Sequence, residues 1–150
     1  MMSTATVPWH AAYPAPRSTA IGIRREEVLG WFRSGRQPGH DFLLIDLRRT
    51  DFEGGTIRGS INLPAQTLYP AIPTLYSLLS QSQATEVIWY CGSSKGRGVR
   101  AASWLADYIE QQQDTRMRSL VLEGGIKGWV AAGKEYTDFM DEYDTSAWTA

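Results

Sequence analysis

Three short apolar segments separated by longer amphipathic stretches constrain the fold more than any other feature of this chain. They are Phe42-Leu43-Leu44-Ile45, Glu86-Val87-Ile88-Trp89-Tyr90 and Ser119-Leu120-Val121-Leu122. Continuous apolar runs of this length are typical of strands buried on both faces of a parallel sheet. Apolar residues at helical spacing predict helices near residues 24–34, 71–80, 97–113 and 125–132. The alternation predicts an α/β domain in three layers, with a central, largely parallel sheet flanked by helices.

The length and composition fit one soluble domain. A chain of 150 residues needs only one hydrophobic core. We divide it into an extended Pro-rich segment 1–20 with Trp9 and Tyr13 as candidate anchors, a folded domain 21–133, and an acidic, aromatic tail 134–150 that packs on the domain or binds a partner. The start has neither the basic residues nor the apolar run of a secretory signal. Prolines interrupt the uncharged stretch 59–85, so it cannot be a membrane-spanning helix.

Charge and cysteine content exclude several classes of function. A net charge of -1 gives no basic field for nucleic acid or an anionic membrane. Cys91 is the only cysteine, which excludes an intrachain disulfide and a Cys-rich zinc site. With only His10 and His40 to add to it, we expect no metal centre and no bound cofactor. We expect a protein of a reducing compartment, the cytoplasm with the nucleus as a second location, and a monomer or homodimer.

The most informative stretch is Cys91-Gly92-Ser93-Ser94-Lys95-Gly96-Arg97, which leads from the second apolar segment into a predicted helix. Backbone N–H groups of a Gly/Ser loop and a helix N-terminus together bind an oxyanion, and an arginine clamps two of its oxygens. The same positive environment favours the thiolate of Cys91. The alternatives are an inert buried cysteine and, for Lys95, a solvated loop charge. The small residues and the placed arginine favour the anion site.

Three ordered motifs resemble those of a known family. Cys91 and Arg97 form the Cys-x5-Arg signature of cysteine-dependent phosphatases, whereas residues 44–48 with 55–64 and residues 122–129 resemble the two rhodanese hallmarks. The resemblance covers roughly residues 20–133 and implies a rhodanese-like fold. It is strongest to the Cdc25-like branch, which includes fungal arsenate reductases and small phosphatases. The loop supports this branch because it is one residue longer than that of typical sulfurtransferases.

The resemblance also implies a role for each site residue. Cys91 would be the nucleophile and Arg97 the oxyanion clamp, with backbone amides supplied by the loop residues Gly92, Ser93, Ser94, Lys95 and Gly96. Asp46 would support the active-site loop or simply cap a turn. Arg48 would be an ion-pair partner of that region or a surface residue. Trp129, Gly124 and Gly125 would serve packing and turns.

Four functions remain open on this basis. The first is a phosphatase for phosphorylated substrates that works through a phosphocysteine at Cys91. The second is an arsenate reductase, which would need glutathione and glutaredoxin as external thiols because the chain has no second cysteine. The third is a sulfurtransferase with a Cys91 persulfide. The fourth is a module that binds an oxyanion or a partner without catalysis.

The loop departs from the Cdc25 pattern at two positions. Tyr90 stands where Cdc25-type phosphatases commonly have histidine, and Lys95 stands where many have an acidic residue. A general acid carried by the loop is therefore not expected. Asp51 and Glu53 are the alternative candidates, although the sequence does not place them relative to Cys91.

Overall fold

The computed structural model describes residues 7–148. Residues 1–6, on which most of the prediction about a secretory signal rests, and residues 149–150 lie outside the described part of the chain. The main element is a five-stranded parallel sheet. Its strands, in chain order, are β1 Ile21–Ile23, β2 Phe42–Asp46, β4 Ile61–Asn62, β5 Glu86–Tyr90 and β6 Arg118–Leu122. Across the sheet they lie in the order β1-β6-β5-β2-β4. A separate antiparallel pair joins β3 Thr56–Ile57 to β7 Met140–Asp141. The predicted parallel sheet is confirmed.

Helices cover both faces of this sheet. They are α1 Arg25–Arg33, α2 Ile72–Ser80, α3 Arg97–Gln111, α4 Gly125–Ala131 and α5 Lys134–Thr137, with short 3-10 turns at Ala65–Thr67, Tyr69–Ala71 and Thr145–Ala147. No helix within residues 7–148 combines the length and the apolarity that crossing a membrane requires. The first four helices begin and end within about two residues of the positions that the apolar spacing predicts.

The core lies in two layers, one on each side of the sheet, because successive strand residues point to opposite faces. On one face, residues such as Ile45, Trp89 and Val121 pack with the buried side of α3. On the other face, Phe42 and Ile88 pack in a cluster that also includes residues of α1 and α4. The continuous apolar runs are thus explained, since both faces of the central strands are covered.

Some elements differ from the sequence pattern. The strands β1, β3, β4 and β7 are only two or three residues long, too short to show a strand period. Leu78 is an apolar residue of α2, yet its side chain is 65% exposed. Residues 134–148 pack on the domain: β7 pairs with β3, and the indole Nε1 of Trp148 donates to the Gly54 carbonyl at 2.9 Å.

The parallel arrangement determines where chemistry can occur. All strands of the main sheet point the same way, so the residues that follow them meet at one edge. Asp46 ends β2, and Cys91 follows β5, the central strand. In open α/β sheets this carboxyl-terminal edge is where ligands bind.

Candidate active site

The loop after β5 closes around its own cysteine. Cys91 is buried, and the backbone N–H of Ser94 donates to its Sγ at 3.1 Å. In return, the Oγ of Ser94 accepts from the backbone N–H of Cys91 at 3.3 Å. Ser94 adopts a positive φ of 62°, uncommon for a residue other than glycine, and this conformation turns the chain back toward the sulfur. The loop therefore supplies a hydrogen-bond donor to the sulfur of Cys91.

Helix α3 starts where the loop ends. Arg97 is its first residue and Gly96 precedes it. A helix N-terminus carries unsatisfied N–H groups and a partial positive charge. Gly98 brings this first turn close to the loop, because a Cβ there would lie 3.1 Å from that of Ser94. The positive end of a long helix is thus packed directly against the cysteine loop.

Helix α4 holds the loop from another side. The backbone N–H groups of Ile126 and Lys127 donate to the carbonyls of Cys91 and Gly92, both at 3.0 Å. Gly125 has a φ of 59°, and a Cβ on it would lie 2.6 Å from the Cys91 carbonyl oxygen. Only glycine allows this approach. The glycines of the second rhodanese hallmark therefore let α4 dock on the loop.

Arg97 is held by Asp51. Its Nη1 and Nη2 donate to the two carboxylate oxygens of Asp51 at 2.9 and 2.6 Å. These hydrogen bonds hold the pKa of Asp51 well below its usual range. They also raise the pKa of Arg97, and Cys91 contributes to that increase. Asp51 consequently stays ionised beside Arg97, and it cannot donate a proton while the pair is intact.

Asp46 and Arg48 form a second, buried pair behind this one. Arg48 is 2% exposed and Asp46 is 0% exposed. The guanidinium donates to the Asp46 carboxylate at 2.8 to 3.2 Å through Nε and Nη2. Its remaining donors bind the backbone carbonyls of Glu53 at 3.0 Å and Gly55 at 2.7 Å, with a longer contact to that of Asp51 at 3.4 Å. Arg48 is therefore not a surface residue, and the pair supports the segment 51–55 that presents Asp51.

The contacts of Glu53 and Tyr90 are structural. Glu53 offers its backbone carbonyl to Arg48. The Tyr90 hydroxyl lies 2.8 Å from Thr56 Oγ1 and 2.6 Å from Ser60 Oγ, and it accepts from the Ile57 N–H at 3.2 Å. Burial and the nearby charge of Asp46 raise the pKa of Tyr90 above its ordinary value. The residue before Cys91 thus joins β5 to the turn around β3.

The cysteine opens into a cleft of about 780 Å³. Five of the predicted active-site residues line it: Cys91, Ser93, Lys95, Gly96 and Arg97. Gly92 lines a cavity on the other side of the loop, together with Arg48 and Asp51. Of the other predicted residues, Ser94 is buried in the loop, and Asp46 is buried outside the cleft, where its carboxylate accepts from Arg48 and from Thr56 Oγ1. The described part of the chain contains no group of three or more His, Cys, Asp or Glu side chains placed to hold a metal ion.

The N-terminal segment forms the opposite wall of this cleft through Trp9, His10, Pro16, Ser18 and Thr19. It is attached to α3. Trp104 Nε1 donates to the Pro14 carbonyl at 2.8 Å, and the Asp107 carboxylate accepts from the backbone N–H groups of Arg17 and Ser18 at 2.8 and 2.7 Å. Trp9 and Tyr13 both pack edge-on against Trp104. The sequence suggested anchors here but gave no sign of a role beside the cysteine.

Cys91 follows the central parallel strand, and Arg97 begins the next helix. The chain is therefore an α/β domain whose candidate active-site loop is built around a cysteine. The family model for the Rhodanese-like domain matches residues 28–132. The chain belongs to this family, and the family resemblance of the three motifs is confirmed.

Two curated relatives carry different names. The chain is 32% identical over 96 residues to Arsenical-resistance protein 2 of Saccharomyces cerevisiae, a match that covers 59% of this chain and 74% of the relative. It is 23% identical over 128 residues to Dual specificity phosphatase ibp1 of Schizosaccharomyces pombe, covering 75% of this chain and 89% of the relative. Sequence similarity therefore extends to both an arsenical-resistance protein and a phosphatase.

Solved structures show the same fold. Ygr203w, described as a yeast protein tyrosine phosphatase of the Rhodanese family, superposes with a TM-score of 0.70 at 22% identity, over 88% of this chain and 99% of that one. The As-Sb reductase from Leishmania major gives a TM-score of 0.67 at 21% identity, over 81% of this chain and 84% of that one. At such identities the likeness concerns the fold.

Proposed function

We propose that this protein is a cysteine-dependent, Cdc25-like enzyme acting on phosphate-type oxyanions, with phosphoester hydrolysis as its main activity. One observation carries the proposal. The Sγ of Cys91 receives the Ser94 N–H at 3.1 Å inside a loop that ends in Arg97 and a helix N-terminus. Such a loop stabilises a thiolate and presents donors to an anion. The named phosphatase among the relatives supports it.

The reaction follows from these parts. The Cys91 thiolate attacks the phosphorus in line, the P–O bond to the leaving group breaks, and a phosphocysteine forms. Loop N–H groups and Arg97 bind the non-bridging oxygens as charge develops on them. Water then attacks the phosphocysteine, which releases inorganic phosphate and restores the thiolate. The electron count of sulfur does not change overall, so no external reductant is needed.

The leaving group receives little help from carboxylic acids. None of the described residues that line the cleft is an aspartate or a glutamate. Asp51 lies behind Arg97 and stays ionised. Since an alkoxide leaves poorly without a proton donor, we expect esters with acidic leaving alcohols, such as phenols, to be hydrolysed fastest.

Arsenate reduction is the second candidate, favoured by the 32% identity to an arsenical-resistance protein. Arsenate resembles phosphate in shape and charge. Cys91 would form a sulfur–arsenic bond with loss of water. Attack by glutathione on the Cys91 sulfur would then give a mixed disulfide and release arsenite, the two thiols supplying the two electrons. Glutaredoxin would reduce the mixed disulfide, and a reducing compartment such as the cytoplasm or nucleus suits this cycle.

The experiment compares both reactions in one preparation, with Cys91→Ser as the control. Hydrolysis of 4-nitrophenyl phosphate is followed by absorbance, and arsenite release is measured with glutathione and glutaredoxin present. We expect Cys91→Ser to abolish turnover while phosphate still binds, because the donors are mostly backbone. Hydrolysis without arsenite supports the phosphatase alone. Robust Cys91-dependent arsenite release would make reduction the main activity, and full activity of Cys91→Ser would remove the nucleophile.

Two remaining functions of the loop are tested with the same protein. A sulfurtransferase would release sulfite from thiosulfate and accumulate a Cys91 persulfide, visible as an added sulfur mass. A binding module would bind phosphate but turn over none of these compounds. The greater loop length weighs against the sulfurtransferase. The hydrogen bond from the Ser94 N–H to the Cys91 sulfur weighs against the binding module.

A further inference from the structure

The cleft beside Cys91 carries more positive charge than one oxyanion requires. Lys95, Arg97 and Arg100 line it, and the described lining residues include no carboxylate. Arg97 is compensated by Asp51. By contrast, Lys95 and Arg100 have no carboxylate partner among residues 7–148, although Arg100 lies over the Trp104 ring at 5.9 Å. In a chain of net charge -1, a cleft lined by one sign of charge concentrates anionic ligands.

Arg100 is placed one helical turn beyond Arg97. Residues three apart on a helix lie on the same face with their Cβ atoms roughly 5–6 Å apart. An anion bound at Cys91 and Arg97 would therefore leave Arg100 free to bind a second anionic group of the same molecule. Arg100 is half-buried, and ordering a half-buried arginine costs less side-chain entropy than ordering an exposed one.

The size of the cleft agrees with such a ligand. Its volume of about 780 Å³ lies within the range of sites for small organic molecules, far above the needs of inorganic phosphate or arsenate. Trp9, Val99 and the carbon atoms of Pro16 add apolar surface to its walls. We propose that the cleft contains a second anion subsite at Arg100, so that the preferred substrate is a small organic phosphoester that carries a second phosphate group.

This inference rests on the proposed hydrolase function for its substrate role, although binding can be measured separately. The probes are resorcinol monophosphate and resorcinol bisphosphate, which share one aromatic ring and differ by one phosphate. We expect kcat/KM for the bisphosphate to exceed that for the monophosphate by about tenfold or more, the gain of one charge-assisted hydrogen bond. Arg100→Gln should reduce this ratio to near one, mainly through KM.

Arg118→Gln is the matched control. It removes the same charge from an exposed residue at the amino-terminal end of β6, the end of the sheet opposite Cys91. Its ratio should equal that of the unchanged protein. Equal kcat/KM values for the two esters in the unchanged protein would overturn the subsite, and so would an equal fall of the ratio in Arg100→Gln and Arg118→Gln.

Calorimetric binding to Cys91→Ser protein separates the two proposals. Tighter binding of the bisphosphate that depends on Arg100, without Cys91-dependent hydrolysis of either ester by the unchanged protein, would retain the subsite and overturn the hydrolase function. Hydrolysis of both esters with no binding preference would do the reverse.

Discussion

The molecule contains two arginine–aspartate pairs that look alike in chemistry and differ in surroundings. Arg48 and Asp46 have side chains exposed by only 2% and 0%, whereas those of Arg97 and Asp51 are exposed by 23% and 46%. Arg48 distributes its donors over Asp46 and the carbonyls of the segment 51–55. The Asp51 carboxylate accepts from the Nη1 and Nη2 of Arg97 and, at 3.1 Å, from the backbone N–H of Arg49. The buried arginine is saturated, and the exposed one keeps donors for a substrate.

The two pairs are also connected. The buried pair holds the segment that carries Asp51, and Asp51 orients the arginine beside Cys91. Burying charges is costly unless they are fully hydrogen-bonded, and removing one partner leaves the other uncompensated. Exposed pairs contribute little to stability. We therefore expect the inner pair to govern folding and the outer pair to govern activity.

The largest expected effect follows from removing the inner arginine. Arg48→Met leaves the buried Asp46 carboxylate without its cation and frees the carbonyls of Glu53 and Gly55, so we expect a loss of about 3–5 kcal/mol in the free energy of unfolding. Urea unfolding followed by tryptophan fluorescence measures it. If the variant does not fold, Asp46→Leu combined with Arg48→Met should recover part of the stability, because no charge then remains buried.

The exposed pair of Arg33 and Glu135 provides the control for this measurement. Arg33→Gln should cost less than about 1 kcal/mol. A cost for Arg48→Met that is no larger than this would mean that burial of the inner pair does not determine its contribution.

The outer arginine should show the opposite balance. Arg97→Lys keeps the charge but loses the planar fork that binds two oxygens. We expect kcat/KM for 4-nitrophenyl phosphate to fall at least tenfold, on the order of 1.4 kcal/mol of transition-state stabilisation, with a change in unfolding free energy below about 1 kcal/mol. Arg118→Lys, far from the cleft, should keep its rate. An unaltered rate for Arg97→Lys would remove this residue from the site.

The outer aspartate should have a smaller effect on the same reaction. Asp51→Asn replaces a charge-assisted pair with a weaker neutral contact, so Arg97 is less well oriented. We expect kcat/KM to fall by about three- to tenfold, roughly 1 kcal/mol, with Asp51→Glu recovering part of the loss. A higher kcat/KM in Asp51→Asn would show instead that Asp51 competes with the substrate for Arg97.

Part of the fold and of the candidate site could be predicted from the sequence alone. The central strands were predictable because they are buried on both faces and leave a continuous apolar signal in residues 42–46 and 86–90. Cys91 and Arg97 were identifiable as a pair because a strand, a loop and a helix position them by local connectivity. For Arg48 the sequence left two alternatives open, an ion pair in this region or a surface position, and the structure places it in a buried pair with Asp46.

Contacts between distant segments were not predictable. Asp51 meets Arg97 across 46 positions of sequence, and nothing in the composition of residues 48–55 indicates this contact. The wall of the cleft formed by the N-terminal segment could not be predicted either. Its position depends on hydrogen bonds between the side chains of Trp104 and Asp107 and the backbone of Pro14, Arg17 and Ser18. Such hydrogen bonds to the main chain leave no residue pattern.

The smallest effect, and a direct test of the outer pair, is a pH dependence. Asp51 has a pKa lowered in the folded protein by its hydrogen bonds from Arg97. A group of this kind stabilises the fold above its unfolded pKa of about 3.9, and the contribution is lost as the pH falls through the folded value. The difference in unfolding free energy between the unchanged protein and Asp51→Asn should therefore be constant from pH 5 to 8 and shrink below about pH 4. Its size should stay below about 1 kcal/mol because Asp51 is exposed.

The same ionisation predicts the shape of the activity profile. Because Asp51 remains a carboxylate throughout the neutral range, Asp51→Asn should scale kcat/KM by one factor at every pH from 5 to 8 without moving either limb. Parallel measurements on 4-nitrophenyl phosphate with both proteins test this. An acid or basic limb that shifts or disappears in Asp51→Asn would show that Asp51 exchanges a proton during turnover, and the outer pair would then be a proton donor rather than a support for Arg97.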